Sequence, residues 1–146
     1  MKKFVYFLII VIILWLGWMF LNNSKSTSNI PAKTPVVIDS PYFKVGMSAT
    51  LGSYLADSNG MTLYTFSQDS LRNSVCTGAC LVKWPAYVPQ TTNLSALPEN
   101  VGTITRVDGT MQFTWKDMPL YFYSGDKAAG DTTGQGFGGF WYVVNL

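Results

Sequence analysis

The chain has 146 residues, with 10 Lys and Arg against 8 Asp and Glu, two cysteines and no histidine. That length suits one domain plus an appendage, and without histidine no Ser–His or Cys–His catalytic pair can form. From Lys44 onward six basic residues meet seven acidic ones, a balance near −1 that lacks the basic footprint nucleic acid requires.

Residues 4–21, FVYFLIIVIILWLGWMFL, run without a charge. As a helix they span about 27 Å, close to the hydrocarbon thickness of a bilayer. Lys2 and Lys3 precede the run, which keeps residues 1–3 in the cytoplasm and sends the remainder across. A cleaved signal peptide is the competing reading, but its apolar region is shorter and ends in a small-x-small site that LNNSKSTSN lacks. The preferred reading is an uncleaved single-pass signal anchor in the plasma membrane, with the domain extracellular or periplasmic. Residues 22–41, rich in Ser, Thr, Asn, Lys and Pro, then read as a flexible linker.

The remaining residues, 42–146, read as one small all-β domain preceded by that transmembrane helix. KVGMSATLGSYLA leads into Asp57-Ser58-Asn59-Gly60, and Asn-Gly between extended runs marks a hairpin turn. Met61 to Phe66 follows as a strand. Asp69 to Lys83 carries only a hint of a short helix or irregular loop. Within it, Cys76 and Cys80 most simply form a disulfide in an oxidising compartment, since C-x-x-x-C is neither the redox C-x-x-C spacing nor half of a four-ligand zinc site. Thr103–Val107 and Met111–Trp115 flank a second turn, Asp108-Gly109-Thr110. Pro119–Tyr123 and Phe140–Asn145 are further strands.

The chain repeats itself. NGMTLYTFSQD, from Asn59, and KDMPLYFYSGD, from Lys116, share Met, Leu, Tyr, Ser and Asp at an offset of 57, which also carries Trp84 onto Trp141. Two β-hairpin-containing repeats of like structure are therefore expected to pack together, since neither buries enough apolar surface alone. Each copy holds Tyr, any residue, an aromatic, two residues and Asp: Tyr64 to Asp69, and Tyr121 to Asp126. Together with ADSNGMTLYTF, CTGAC…WP and GDTTGQGFGGFWYVV, these motifs resemble the secreted-repeat family of predicted bacterial and archaeal lipoproteins. The resemblance covers Ser53 to Val144. It implies a surface-exposed, envelope-attached module and carries over no catalytic residue. Many members have a lipid-attachment cysteine; here the apolar helix would do that anchoring.

The candidate ligand-binding residues are Tyr64, Asp69, Trp115, Tyr121, Tyr123 and Asp126. The competing reading gives each Asp to backbone N–H groups at a turn. From Tyr42 on there are 16 aromatic residues in 105; they suit a small core, and some could stack on sugar rings. The expected function is a non-catalytic binding or structural module of the cell envelope, its partner an envelope polymer or surface protein, with no nucleic acid. No cofactor is expected, but haem on a tyrosine, or copper on Met47, Met61, Met111 or Met118, stays open as a redox alternative. A weaker alternative is a glycan hydrolase using Asp69 and Asp126.

Gly134-Gln135-Gly136-Phe137-Gly138-Gly139 formally matches the dinucleotide fingerprint G-x-G-x-x-G. The fingerprint needs a strand before it and a helix after it, and here a strand-like FWYVV follows. Asp126 and Asp131 lack the spacing of a calcium loop.

Overall fold

The computed structural model describes Trp15 and residues 37–38, 40–94 and 97–146. Contacts divide the chain into two units, Met1–Thr34 and Pro35–Leu146. The expected cytoplasmic tip, the anchor (Trp15 apart) and most of the linker lie outside the described residues. Among the described residues no helix is long and apolar enough to cross a membrane.

The second unit is built of strands. β1 (Phe43–Ser48) and β2 (Gly52–Asp57) form an antiparallel hairpin; the segment expected to be one extended run folds back at Ala49–Leu51, where the Ser48 hydroxyl accepts from the Thr50 and Leu51 N–H groups. The predicted Asp57–Gly60 turn follows. The Asp57 carboxylate organises it by accepting from the N–H groups of Asn59 and Met61, the local bonding that favours Asp in turns. The chain then enters β3 (Tyr64–Phe66). The only regular helix in this unit among the described residues is Ala79–Lys83. β4 (Val101–Thr105), β5 (Met111–Trp115) and β6 (Met118–Pro119) form the three-stranded counterpart, and β7 (Trp141–Val143) comes last.

The repeats exchange their final segments. β7, from the second repeat, pairs antiparallel with β3 of the first, Tyr64 opposite Val143 and Phe66 opposite Trp141. Reciprocally, the end of the first repeat lies along the second: Ala86 bridges Tyr121, and the Phe122 N–H donates to the Pro85 carbonyl at 2.8 Å. A pseudo-twofold axis passes between Tyr64 and Tyr121, whose N–H and C=O groups bond each other both ways at 2.9 Å. The same swap relates Ser67 N–H to Phe140 O and Ser124 N–H to Lys83 O.

Each half also contains a closed ring of three backbone hydrogen bonds. Leu55 donates to Val144, Val144 to Leu63, and Leu63 to Leu55. In the other half Phe113 donates to Tyr87, Tyr87 to Leu120, and Leu120 to Phe113. All six residues are buried, so each ring satisfies backbone groups that water cannot reach.

Alternation along β3 sends Tyr64 into one core and its neighbour Leu63 into another. The first core joins Tyr54, Tyr64, Cys76 and Trp84 to Tyr121, Trp141 and Val143. The second joins Phe43, Leu55, Leu63 and Tyr87 to Phe113, Leu120 and Val144. Each core therefore draws on both repeats.

Candidate functional site

The two Tyr-to-Asp motifs build matched corners on either side of the axis. Each aspartate closes a turn, its own N–H bonded to the carbonyl three residues back: Asp69 to Phe66, and Asp126 to Tyr123. Asp69 Oδ1 accepts from the Val75 N–H at 2.8 Å, and Asp126 Oδ1 from the Thr133 N–H at 3.0 Å and the Thr133 hydroxyl at 2.6 Å. The second oxygen of each carboxylate reaches across the axis. Tyr64 Oη donates to Asp126 Oδ2 and Tyr121 Oη to Asp69 Oδ2, both at 2.7 Å.

All four residues are buried. Burial pushes the Asp69 carboxyl above its ordinary range, although the Val75 N–H, the Tyr121 hydroxyl and the charge of Arg106 pull it down. Burial likewise pushes the Tyr121 phenol up to about 12, with Asp69 adding to the rise and Ser74 opposing it. Tyr64 is raised further still, by burial and then by the Asp126 carboxylate.

A buried cation distinguishes the first corner. Arg106 Nη1 donates to Ser74 Oγ at 2.8 Å and to Gln112 Oε1, while Nη2 donates to the Cys76 carbonyl. Ser74 Oγ lies 2.6 Å from Tyr121 Oη, so the guanidinium is tied to Asp69 through a hydroxyl chain. Arg106 Nε has no hydrogen-bond partner among the described residues, and Asp108 stands 3.8 Å from it. Cys76 and Cys80 form the expected disulfide. The second corner has no counterpart to it and closes by contact at Gly134, where a Cβ would come within 3.0 Å of Trp84, Tyr64 and Tyr123.

Between the corners the aromatic rings stack. Trp84 and Trp141 lie face to face, 3.9 Å apart and 1° from parallel. Phe66 stacks on Trp141 at 4.3 Å, and Tyr123 lies against Trp84 at 4.4 Å. The stack reaches the surface at the glycine-rich loop. Gly136, Gly138 and Gly139 all have positive φ, open to glycine at little cost. The tight turn they make holds Phe137 and Phe140 outward, 39% and 46% exposed, with Tyr142 42% exposed beside them. Phe137 packs against Trp84 and Tyr123, Phe140 against Phe66. Lys83 Nζ sits 4.5 Å above the Phe137 ring.

Of the six candidates, Tyr64, Asp69, Tyr121 and Asp126 thus come together in the interior. Tyr123 is half-buried within the stack. Trp115 stands apart on β5, half-buried against the second core, with Lys116 Nζ 5.9 Å from its ring. Sequence reasoning passed over Phe137, Phe140 and Tyr142 as surface residues, Phe66 as their half-buried support, and Arg106 as a buried one. The available signal was two phenylalanines, Phe137 and Phe140, set among glycines, a setting too irregular for a buried strand. Among the described residues no three His, Cys, Asp or Glu gather where they could hold a metal ion. Gly134–Gly139 leads through a single 3₁₀ turn into β7, without the long helix that would receive a pyrophosphate.

A family model for a secreted repeat of unknown function matches residues 46–87 and 102–145. No curated protein and no solved structure matches the chain. The chain belongs to this secreted-repeat family, and its two matches coincide with the two halves related by the axis.

Proposed function

We propose that this chain is a non-catalytic binding module displayed outside the cytoplasm, held at the membrane by residues 4–21, that grips an envelope polysaccharide through the aromatic face at the glycine-rich loop. One observation carries the reading: Phe137, Phe140 and Tyr142 stand in solvent, two of them braced by the buried ring stack. Flat rings held rigid offer large contact area at little entropic cost, and a sugar's C–H face stacks on them. Lys83, poised over Phe137, adds a donor and a charge for hydroxyl or acidic groups of the polymer. The hydrolase and haem readings draw on Asp69, Asp126, Tyr64 and Tyr121, whose polar atoms already bond one another and the backbone. The anchor rests on the uncharged run and the two lysines before it.

The test is co-sedimentation of the full-length chain with insoluble peptidoglycan and with surface polysaccharide. The unaltered chain is expected to sediment, and a Phe137→Ala/Phe140→Ala chain with an unchanged melting point is expected to stay in solution. Equal sedimentation of the two would sink the reading.

A further inference from the structure

We propose that the face between the repeats is also a docking surface for a second copy of this chain, with the first repeat of one copy taking the second repeat of another, and the reverse. Such an exchange does not depend on what the aromatic face binds.

Neither repeat can be completed by its own residues. β3 has its partner strand in β7 of the other repeat, and Tyr121 has its bridge in Ala86. Tyr64 requires Asp126, and Tyr121 requires Asp69. Each three-bond ring takes one member from the opposite repeat, Val144 in one and Tyr87 in the other. The aromatic face is likewise shared, since Phe66 and Lys83 come from one repeat and Phe137 and Phe140 from the other. Nothing in these contacts requires the two repeats to be joined. A two-chain assembly with the repeats exchanged would restore every one of them, with twofold closure.

What favours closure within one chain is the connection from Val88 to Val101. Its stretch Gln90–Asn93 is exposed. A short connection of this kind gives an effective concentration of order 1 mM. Exchange is therefore expected where chains are crowded to about that level or refold together, and at micromolar concentration the chain stays a monomer.

Thr65 and Tyr142 face each other across β3 and β7, and facing positions on paired antiparallel strands lie within reach of a disulfide. Thr65 is half-buried and Tyr142 exposed, so neither substitution opens a cavity in a core, and Tyr142→Cys gives up only the hydroxyl's bond to the Gly139 carbonyl and part of the aromatic face. A full-length Thr65→Cys chain and a full-length Tyr142→Cys chain, in mild detergent, are unfolded together, refolded at high concentration and oxidised. The expected result is a covalent dimer in the mixture, at least tenfold more abundant than in either variant alone. A mixture that stays monomeric, or equal dimer in the single variants, overturns the proposal. Light scattering on the unaltered chain refolded at rising concentration provides a second measurement. A growing dimer with native near-ultraviolet dichroism supports exchange, and a monomer throughout overturns it.

Discussion

Tyr64 donates its hydroxyl proton to Asp126, 62 positions along the chain, and not to Asp69 in its own motif. The same holds in reverse for Tyr121 and Asp69. The motif is thus half of a contact whose other half lies in the second copy.

Tyr64→Phe removes one charge-assisted bond and is expected to cost about 1.5–3 kcal/mol. In urea unfolding, Tyr64→Phe and Asp126→Asn should couple by about 1–2 kcal/mol, while Tyr64→Phe and Asp69→Asn, which share no bond, should be additive within about 0.5 kcal/mol. Coupling of Tyr64 to Asp69 in place of Asp126 would contradict the swap.

The buried phenols make the fold sensitive to alkali. The folded-state value of Tyr121 lies above its unfolded value, so its contribution is fully present below pH ~10 and is lost as pH rises through about 12. Each such tyrosine steepens the decline by up to about 1.4 kcal/mol per pH unit, and Tyr64 and Tyr87 shift the same way. Unfolding free energies measured from pH 9 to 12 should fall, and Tyr121→Phe should flatten the slope. Asp69 is also raised, so its contribution is present below its unfolded value of ~3.9 and is lost above; its protonation does not drive acid unfolding.

Arg106 is expected to be the least replaceable of the buried polar residues at the first corner. Arg106→Ala would leave Gln112 Oε1 and the Cys76 carbonyl buried without their donor, at about 3–5 kcal/mol. Arg106→Lys should recover only part of this, because an ammonium lacks the planar fork that serves several acceptors at once. Chemical denaturation of the two variants measures the difference.

Reducing the Cys76–Cys80 disulfide should weaken the fold without abolishing it. So short a loop gives about 2 kcal/mol in the chain-entropy account, or a fall in Tm of about 10 °C for a domain this size. The second corner stands without a covalent closure, on Asp126 and Thr133, so a corner of this kind can close on hydrogen bonds alone. Thermal melts with and without a phosphine reductant test this, and complete unfolding on reduction would contradict it.

The repeat, the hairpin turns at Asp57–Gly60 and Asp108–Thr110, and the disulfide were legible because turn chemistry and cysteine spacing act locally. The swap was not. Tyr64 has an identical sequence setting whether it bonds its own aspartate or the other. The internal symmetry was also partly hidden. The chain takes one residue more between the paired Ala56 and Thr62 than between the paired Thr114 and Pro119, so the hairpins correspond at an offset of 58 and the motifs at 57. A fixed-offset comparison therefore finds Leu63 opposite Leu120 but misses Phe43 opposite Val101. Tyr121 was a candidate for ligand contact because alternation gives a face, not which side of that face is covered.

The ring of Leu55, Leu63 and Val144 has a consequence in time. Its third member is made some eighty residues after the second. The first repeat, although synthesised first, cannot close until the second has emerged, and Trp84 waits for Trp141 in the same way. Folding that depends on such distant partners is slow to begin. Whatever route takes the chain out of the cytoplasm, most of it crosses before the native core can form, and the last strand to arrive is the one that locks the first half.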